Sequence, residues 1–256
     1  MAAPWRTAWI TGASTGIGRA LALNLGKRGV KVAASARSLD RLAEVAELET
    51  NITPFPLDVA DLGATKETVR SIAASLGPID LAVLNAGVWE AMSSRNFSAD
   101  KAGHSMAVNY LGVANGLEAL LPAMRERGGG HIAMVASVAG YRGFSPLVAA
   151  YGPTKAAVIN LAETLRNDLV ARGIAISVIN PGYVETPMTG VNRFPMPFMI
   201  TAEDAAQRIV RGLEKGRFEI AFPWQMVALM KLGRLLPYRL FFWYARTILA
   251  PPPRKP

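Results

Sequence analysis

At 256 residues, with 51% apolar residues and 23 glycines, the chain has the size of one domain and a composition suited to a buried core with many tight turns. It has no cysteine, which excludes disulfides, zinc–thiolate sites and thiol nucleophiles. The net charge is +9, and six basic residues with no acidic partner (Lys231, Arg234, Arg239, Arg246, Arg254, Lys255) lie between Trp224 and Pro256, so the body is near neutral and the tail is basic.

The first apolar run, Trp5–Thr11, reads as a strand and begins within a few residues of Met1. No basic stretch followed by an apolar one precedes it, which predicts no secretory leader and a cytoplasmic address. The strand runs into Thr11-Gly12-Ala13-Ser14-Thr15-Gly16-Ile17-Gly18 and then a helical pattern over Ile17–Arg28. Glycines there let the backbone turn sharply and approach a phosphate, while the helix start offers unpaired N–H groups and a positive dipole end. In this strand-to-helix setting the pattern predicts a nucleotide site.

The second strand, Lys31–Ala36, ends in Ala34-Ser35-Ala36-Arg37, with no carboxylate to receive a ribose 2′-hydroxyl. A guanidinium just beyond the strand suits a 2′-phosphate through forked hydrogen bonds, so NADP(H) is expected in preference to NAD(H). The competing reading of Arg37 is a solvated residue at a helix start.

The same alternation continues down the chain. Helical patterns cover Leu39–Glu49, Lys66–Leu76, Ala102–Arg127, Ala149–Ala171 and Ala202–Glu214, and strand patterns cover Ile52–Leu57, Leu81–Asn85, His131–Ala136, Ala175–Asn180 and Phe218–Phe222. The predicted fold is α/β: a single-domain, Rossmann-type, doubly wound parallel sheet of about seven strands with helices on both faces. Residues 1–223 form the predicted catalytic domain, and residues 224–256 a C-terminal helical extension that is apolar and basic.

Tyr151 and Lys155 sit four apart, which places a phenol and an ammonium on one helix face. A nearby positive charge favours the phenolate and so equips tyrosine for proton transfer near neutral pH. Pro153 lies between them and is compatible with that geometry if the helix begins near Ala149 or Ala150.

Taken in order, Thr11–Gly18, Asp58-Val59, Asn85-Ala86-Gly87, Asn109, Ser137, Tyr151-x-x-x-Lys155 and Pro181-Gly182 followed by Thr186 resemble the short-chain dehydrogenase/reductase family over roughly residues 5–222. The resemblance implies that Asn109, Ser137, Tyr151 and Lys155 are catalytic. Tyr151 then exchanges a proton with the carbonyl oxygen, Lys155 biases Tyr151 and bonds the nicotinamide ribose, Ser137 polarises the substrate oxygen, and Asn109 holds a water. It also implies cofactor contacts from Gly12, Ser14, Thr15, Gly16, Ile17 and Gly18, from Asp58 and Val59 beside the adenine, and from Asn85, Ala86 and Gly87 at the adenosine ribose. Pro181, Gly182, Val184 and Thr186 are implied around the nicotinamide. Homo-oligomers are expected through Ala102–Arg127 and Ala149–Ala171. A nucleotide-binding scaffold without turnover is the alternative. It is disfavoured because all four catalytic positions are filled.

His104 and His131 read as structural, and no His/Asp/Glu cluster has metal-ligand spacing. From Pro187 to Ile200 the chain is rich in Met, Phe and Pro, which suits an adaptable apolar wall and hence a small hydrophobic carbonyl or alcohol substrate, with ordinary packing as the competing reading. Trp89, Met92 and Phe144 are candidates for the same cleft. The tail, Trp224–Leu236 and then Tyr238–Leu249 after Pro237, is too interrupted to span a bilayer. Its Trp, Phe and Arg content suits peripheral contact with the inner face of a membrane through residues 224–250, or else packing over the pocket or a partner subunit. With its charge concentrated in an apolar tail, the chain is not read as a nucleic-acid binder.

Overall fold

The computed structural model describes residues 3–145, 147–192 and 194–249, with side chains through residue 247. Arg193 of the loop and Arg254 and Lys255 of the tail lie outside the described residues.

Seven parallel strands form one sheet in the order β3-β2-β1-β4-β5-β6-β7. They are β1 (Thr7–Thr11), β2 (Lys31–Ala36), β3 (Ile52–Pro56), β4 (Leu81–Leu84), β5 (Gly130–Val135), β6 (Ile174–Pro181) and β7 (Glu219–Phe222). The helices are α1 (Gly16–Gly26), α2 (Leu39–Glu47), α3 (Leu62–Leu76), α4 (Ala99–Met106), α5 (Gly112–Glu126), α6 (Tyr151–Ala171), α7 (Pro187–Gly190), α8 (Ala202–Glu214), α9 (Trp224–Leu235) and α10 (Tyr238–Tyr244). From β1 the chain adds β2 and β3 on one side and then crosses to add β4 to β7 on the other, and this switch point between β1 and β4 opens a crevice at the carboxyl ends of the strands.

The central strands are apolar on both faces because both faces are covered. Along β1, Ala8 and Ile10 face a layer formed with α1, α2 and α8, whereas Trp9 faces the opposite layer with α3, α5 and α6. Local chemistry sets the helix starts. Ser38, Asp61, Ser98 and Thr201 each accept a main-chain N–H in the first turn of α2, α3, α4 and α8. Thr15 occupies the same position before α1 and makes no such bond.

Most boundaries shift by one or two residues from the sequence expectation, α3 starts at Leu62 rather than Lys66, and two further differences stand out. The single helix expected over Ala102–Arg127 is α4 and α5 joined by a π-helical turn, Ala107–Leu111, which carries Asn109. One extra residue in a turn leaves the apolar periodicity nearly intact, so the sequence does not display it. The first strand starts at Thr7 rather than Trp5; Trp5 is instead packed against the His131 ring, with centroids 6.1 Å apart.

The tail folds back onto the body. Met226, Met230, Phe241 and Tyr244 are buried in the same core as α5 and α6. Gly233 admits this packing, because a Cβ there would lie 2.6 Å from Phe144 Cε1 and 3.3 Å from Tyr244 Cε1. The Arg142 guanidinium closes the α9 end: Nη1 donates to the carbonyls of Gly233 (2.9 Å), Arg234 (3.0 Å) and Leu236 (2.7 Å). The same group lies over the Phe241 ring at 3.9 Å.

Candidate active site

The glycine turn sits at the switch point. Gly12 and Gly16 adopt φ +66° and +54°, conformations that disfavour a side chain. A Cβ on Gly18 would lie 2.6 Å from Asn85 Nδ2 and closer still to the Gly12 carbonyl. The turn is braced from β4: Thr11 Oγ1 accepts from the amides of Asn85 (2.9 Å) and Ala86 (3.0 Å), and Asn85 Nδ2 donates to Thr11 O (2.9 Å). The Asn85 amide group therefore holds the turn. The first α1 amides have no side-chain cap, and the glycines pack a turn at the helix start that would not admit Cβ atoms, which fits a dinucleotide pyrophosphate.

Register places the other expected cofactor residues at this end. Thr11 pairs with Ser35, and Arg37 follows two residues later, exposed and in no ion pair among the described residues. Asp58 lies two residues beyond the pair Ala36–Pro56, and its Oδ1 accepts from Ala60 N at 3.0 Å. Val59 packs on Gly112, where a Cβ would lie 2.7 Å from Val59 Cγ2. On the other side of the switch point, Thr186 comes against the turn; a Cβ on Gly16 would meet Thr186 Cγ2 at 2.9 Å. Gly182 N donates to Phe222 O at 2.7 Å, and Val184 bridges to Ile200, so the chain after β6 is tied to both of its neighbours.

The residues expected to carry acid–base chemistry converge beside this turn. Tyr151 is the first residue of α6, and Pro153 falls where helical amides have no intrahelical acceptor, so the proline costs no hydrogen bond. Lys155 is buried, with Nζ donating to Val135 O at 2.9 Å and lying 5.5 Å from the Tyr151 ring centroid. A single protein acceptor leaves ammonium donors for a ribose diol, which fits the role implied for Lys155. Ser137, two residues beyond the end of β5, accepts from Ala139 N (3.1 Å) and donates to Pro181 O (3.3 Å). Burial pushes the Lys155 ammonium down to about 8. It also pushes the Tyr151 phenol up to about 12, with a hydrogen bond from Ser137 pulling the other way. Desolvation therefore opposes the phenolate that the Tyr151/Lys155 spacing was expected to favour.

Asn109 is fully buried in the π-helical turn. Its Oδ1 accepts from Val88 N (2.8 Å), and Nδ2 donates to Val88 O (3.0 Å) and Thr154 Oγ1 (3.1 Å). Both donors of the side chain are thus engaged in clamping the segment after β4 to α6. Gly87 fits between these groups; a Cβ there would lie 3.1 Å from Asn109 Oδ1 and 3.5 Å from Lys155 Nζ.

A cavity of about 460 Å³ runs from Ile17, Ser137, Tyr151 and Lys155 into an apolar chamber. Trp89 and Phe144 line it as expected, together with Met188, Phe194 and Pro197 from the loop after β6. Met92 does not; its backbone pairs with Val148 and its side chain is buried. The far wall comes from Met226, Leu229 and Met230 of α9. Their i, i+3, i+4 spacing was the available sequence signal for that face. Two groups had no local signal: Arg142, and Tyr141, whose hydroxyl donates to Glu219 (2.6 Å), itself paired with Lys231. His131 is buried as a structural residue on Ser177, and the described residues contain no group of three or more potential metal ligands.

This arrangement has clear relatives. The sequence profile described as short chain dehydrogenase matches residues 6–195. An uncharacterized oxidoreductase of Myxococcus xanthus is 38% identical over 248 residues, covering 95% of this chain and 98% of the relative. In fold the chain is similar to a short-chain dehydrogenase/reductase from Burkholderia phymatum in complex with NAD (TM-score 0.83, 24% identity, 90% of this chain and 92% of that one). It is also similar to an alcohol dehydrogenase from the archaeon Thermococcus sibiricus complexed with 5-hydroxy-NADP (TM-score 0.76, 27% identity, 85% and 96%). With its profile match spanning most of the chain and a near full-length relative, the chain belongs to the short-chain dehydrogenase family of oxidoreductases.

Proposed function

We propose that the chain is an NADP(H)-dependent oxidoreductase that interconverts a carbonyl and a secondary alcohol on an apolar molecule. The observation that carries this reading is the meeting of Ser137, Tyr151 and Lys155 with the glycine turn at one end of a largely apolar cavity. When bound, the nicotinamide nucleotide supplies or accepts the hydride. The amides of the glycine turn and α1 hold its pyrophosphate, Arg37 its 2′-phosphate, and Lys155 Nζ its nicotinamide ribose. Asp58 and Val59 border the adenine, and Pro181, Gly182, Val184 and Thr186 border the nicotinamide.

In the reducing direction the Ser137 hydroxyl turns its one hydrogen from Pro181 O to the substrate oxygen and aligns that oxygen with the phenol. Tyr151 Oη gives its proton to that oxygen as negative charge develops there. A phenol held protonated by burial is suited to this donation. In the oxidising direction the same oxygen returns its proton to the phenolate, whose charge the Lys155 ammonium stabilises. Asn109 positions Lys155 by joining the Val88 segment to α6 through Thr154.

For the cofactor, support comes from Arg37 at the end of β2 and the absence of a carboxylate in Ala34–Ala36. For the substrate, it comes from the Met, Phe and Pro side chains of the loop and of α9. Residues 1–223 then act as the catalytic body and the tail as one wall of its pocket. Exposed Leu111 and Val170 beside α5 and in α6 support a homo-oligomer formed through those helices. The test is a kcat/KM comparison of NADPH and NADH in wild type and Arg37→Asp over a ketone panel of increasing size. The proposal expects the NADPH preference to collapse and long-chain or polycyclic ketones to outperform small polar ones. An unchanged nucleotide preference refutes the cofactor assignment, and better turnover of small polar ketones refutes the substrate class.

A further inference from the structure

Large exposed apolar side chains are not scattered over this molecule. Most of those among the described residues lie on two segments, the loop after β6, with Met188, Val191, Phe198 and Met199, and the helices α9 and α10; of these, the loop and α9 line the cavity and α10 packs beside α9. On the tail the exposure is extreme: Leu235 is 81% exposed, Trp224 71%, Tyr238 70% and Trp243 57%. Each tail helix is divided between two environments. In α9, Met226 and Met230 are buried at the cavity while Leu232 and Leu235 face out; in α10, Phe241 and Tyr244 are buried while Phe242 and Trp243 face out. Apolar exposure concentrated in this way marks an interaction surface.

We propose that this surface docks on an anionic lipid bilayer, so that the cavity mouth opens toward the membrane. Charge selects the occupant. Arg234, Arg239 and Arg246 are exposed on the tail helices, and the segment from Trp224 to Leu249 contains no Asp or Glu. A second copy of the same face would bring like charges together across a two-fold contact, whereas an anionic headgroup layer meets them with opposite charge. Geometry agrees. No described helix is long and apolar enough to cross a membrane, so α9 and α10 lie along the interface. Trp224, Tyr238 and Trp243, of residue types that prefer the headgroup level, are among the exposed side chains. A molecule dissolved in the bilayer then reaches the chamber lined by Met226, Leu229 and Met230 without crossing water.

Full-length protein is sedimented with phosphatidylcholine vesicles containing phosphatidylglycerol and with vesicles of phosphatidylcholine alone. The expected result is salt-sensitive co-sedimentation with the anionic vesicles and little with the neutral ones. Removing two arginines, Arg239→Gln with Arg246→Gln, weakens binding roughly 30-fold, and Leu235→Glu with Trp243→Glu abolishes it, in proteins whose thermal midpoints stay close to wild type. Protein that remains in the supernatant with anionic vesicles at low salt overturns the proposal. So does binding that the Leu235→Glu/Trp243→Glu variant retains. If wild type stays off vesicles and that variant instead dissociates an oligomer in ultracentrifugation, the face belongs to a second copy. The assay contains no substrate or nucleotide, so its failure leaves the oxidoreductase reading to its own test.

Discussion

Replacing Arg142 by Met keeps the aliphatic stem and removes the guanidinium that joins the segment after Ser137 to the tail. Three carbonyls, of Gly233, Arg234 and Leu236, accept from one nitrogen, which carries only two hydrogens, so about two full charge-assisted bonds are lost. Part-exposed bonds to a charged donor contribute about 1.5 kcal/mol each at the low end of their range. Losing the stacking over Phe241 and Tyr238 costs somewhat more, while the Met stem recovers part of the packing. A net cost of about 3 kcal/mol lowers the thermal midpoint of a chain this size by roughly 6–12 °C. The assay is thermal unfolding followed by circular dichroism, with amide hydrogen exchange over α9 and α10 as the local probe. Exchange in those helices should rise more than in β4 or β5. A midpoint within about 2 °C of wild type, with unchanged exchange in α9, refutes the claim that Arg142 clamps the tail.

Further outcomes follow from particular residues. His131 is held neutral by burial, its pKa pushed down to about 4, with Ser177 Oγ donating to Arg217 O and therefore accepting from His131 Nε2–H. In the unfolded chain His131 takes up a proton near its ordinary 6.5, so stability falls as pH drops from 6.5 towards 4, by about 3 kcal/mol in all; denaturant titrations should show that slope and His131→Gln should flatten it. Gly18→Ala drives a Cβ into the Gly12 carbonyl and Asn85, so NADPH binding should weaken by at least about tenfold in calorimetry or the protein fail to fold, whereas Gly103→Ala, with open space around it in α4, should stabilise by about 0.5–1 kcal/mol. Met230→Gln, which puts an amide into the apolar wall, should raise KM for a long-chain ketone more than for a short one, and equal effects on both would detach α9 from substrate binding.

The sheet was legible because each strand is an apolar run bounded by turn residues, and strands buried on both faces leave that mark plainly. The α6 start was legible too, since Pro153 tolerates only the first turn of a helix. The glycine turn could be read as an anion cradle, but its bracing could not: Thr11 and Asn85 are 74 residues apart, and only the switch in strand order brings them together. For the same reason Arg142 gave no signal, its carbonyl partners lying more than 90 residues away. The tail's apolar and basic content was legible, but periodicity is blind to whether an apolar face meets lipid, a pocket or a partner. The structure puts it on the pocket and leaves the other face apolar.

In the proposed reaction Tyr151, set beside Lys155 and Ser137, moves the proton in a nicotinamide-dependent carbonyl reduction. NADPH consumption with apolar ketones, measured in wild type and in Tyr151→Phe alongside NADPH affinity, tests it directly. The account predicts turnover in wild type and a loss on the order of 10²–10⁴-fold in the variant with affinity nearly unchanged. Equal turnover by Tyr151→Phe would contradict it.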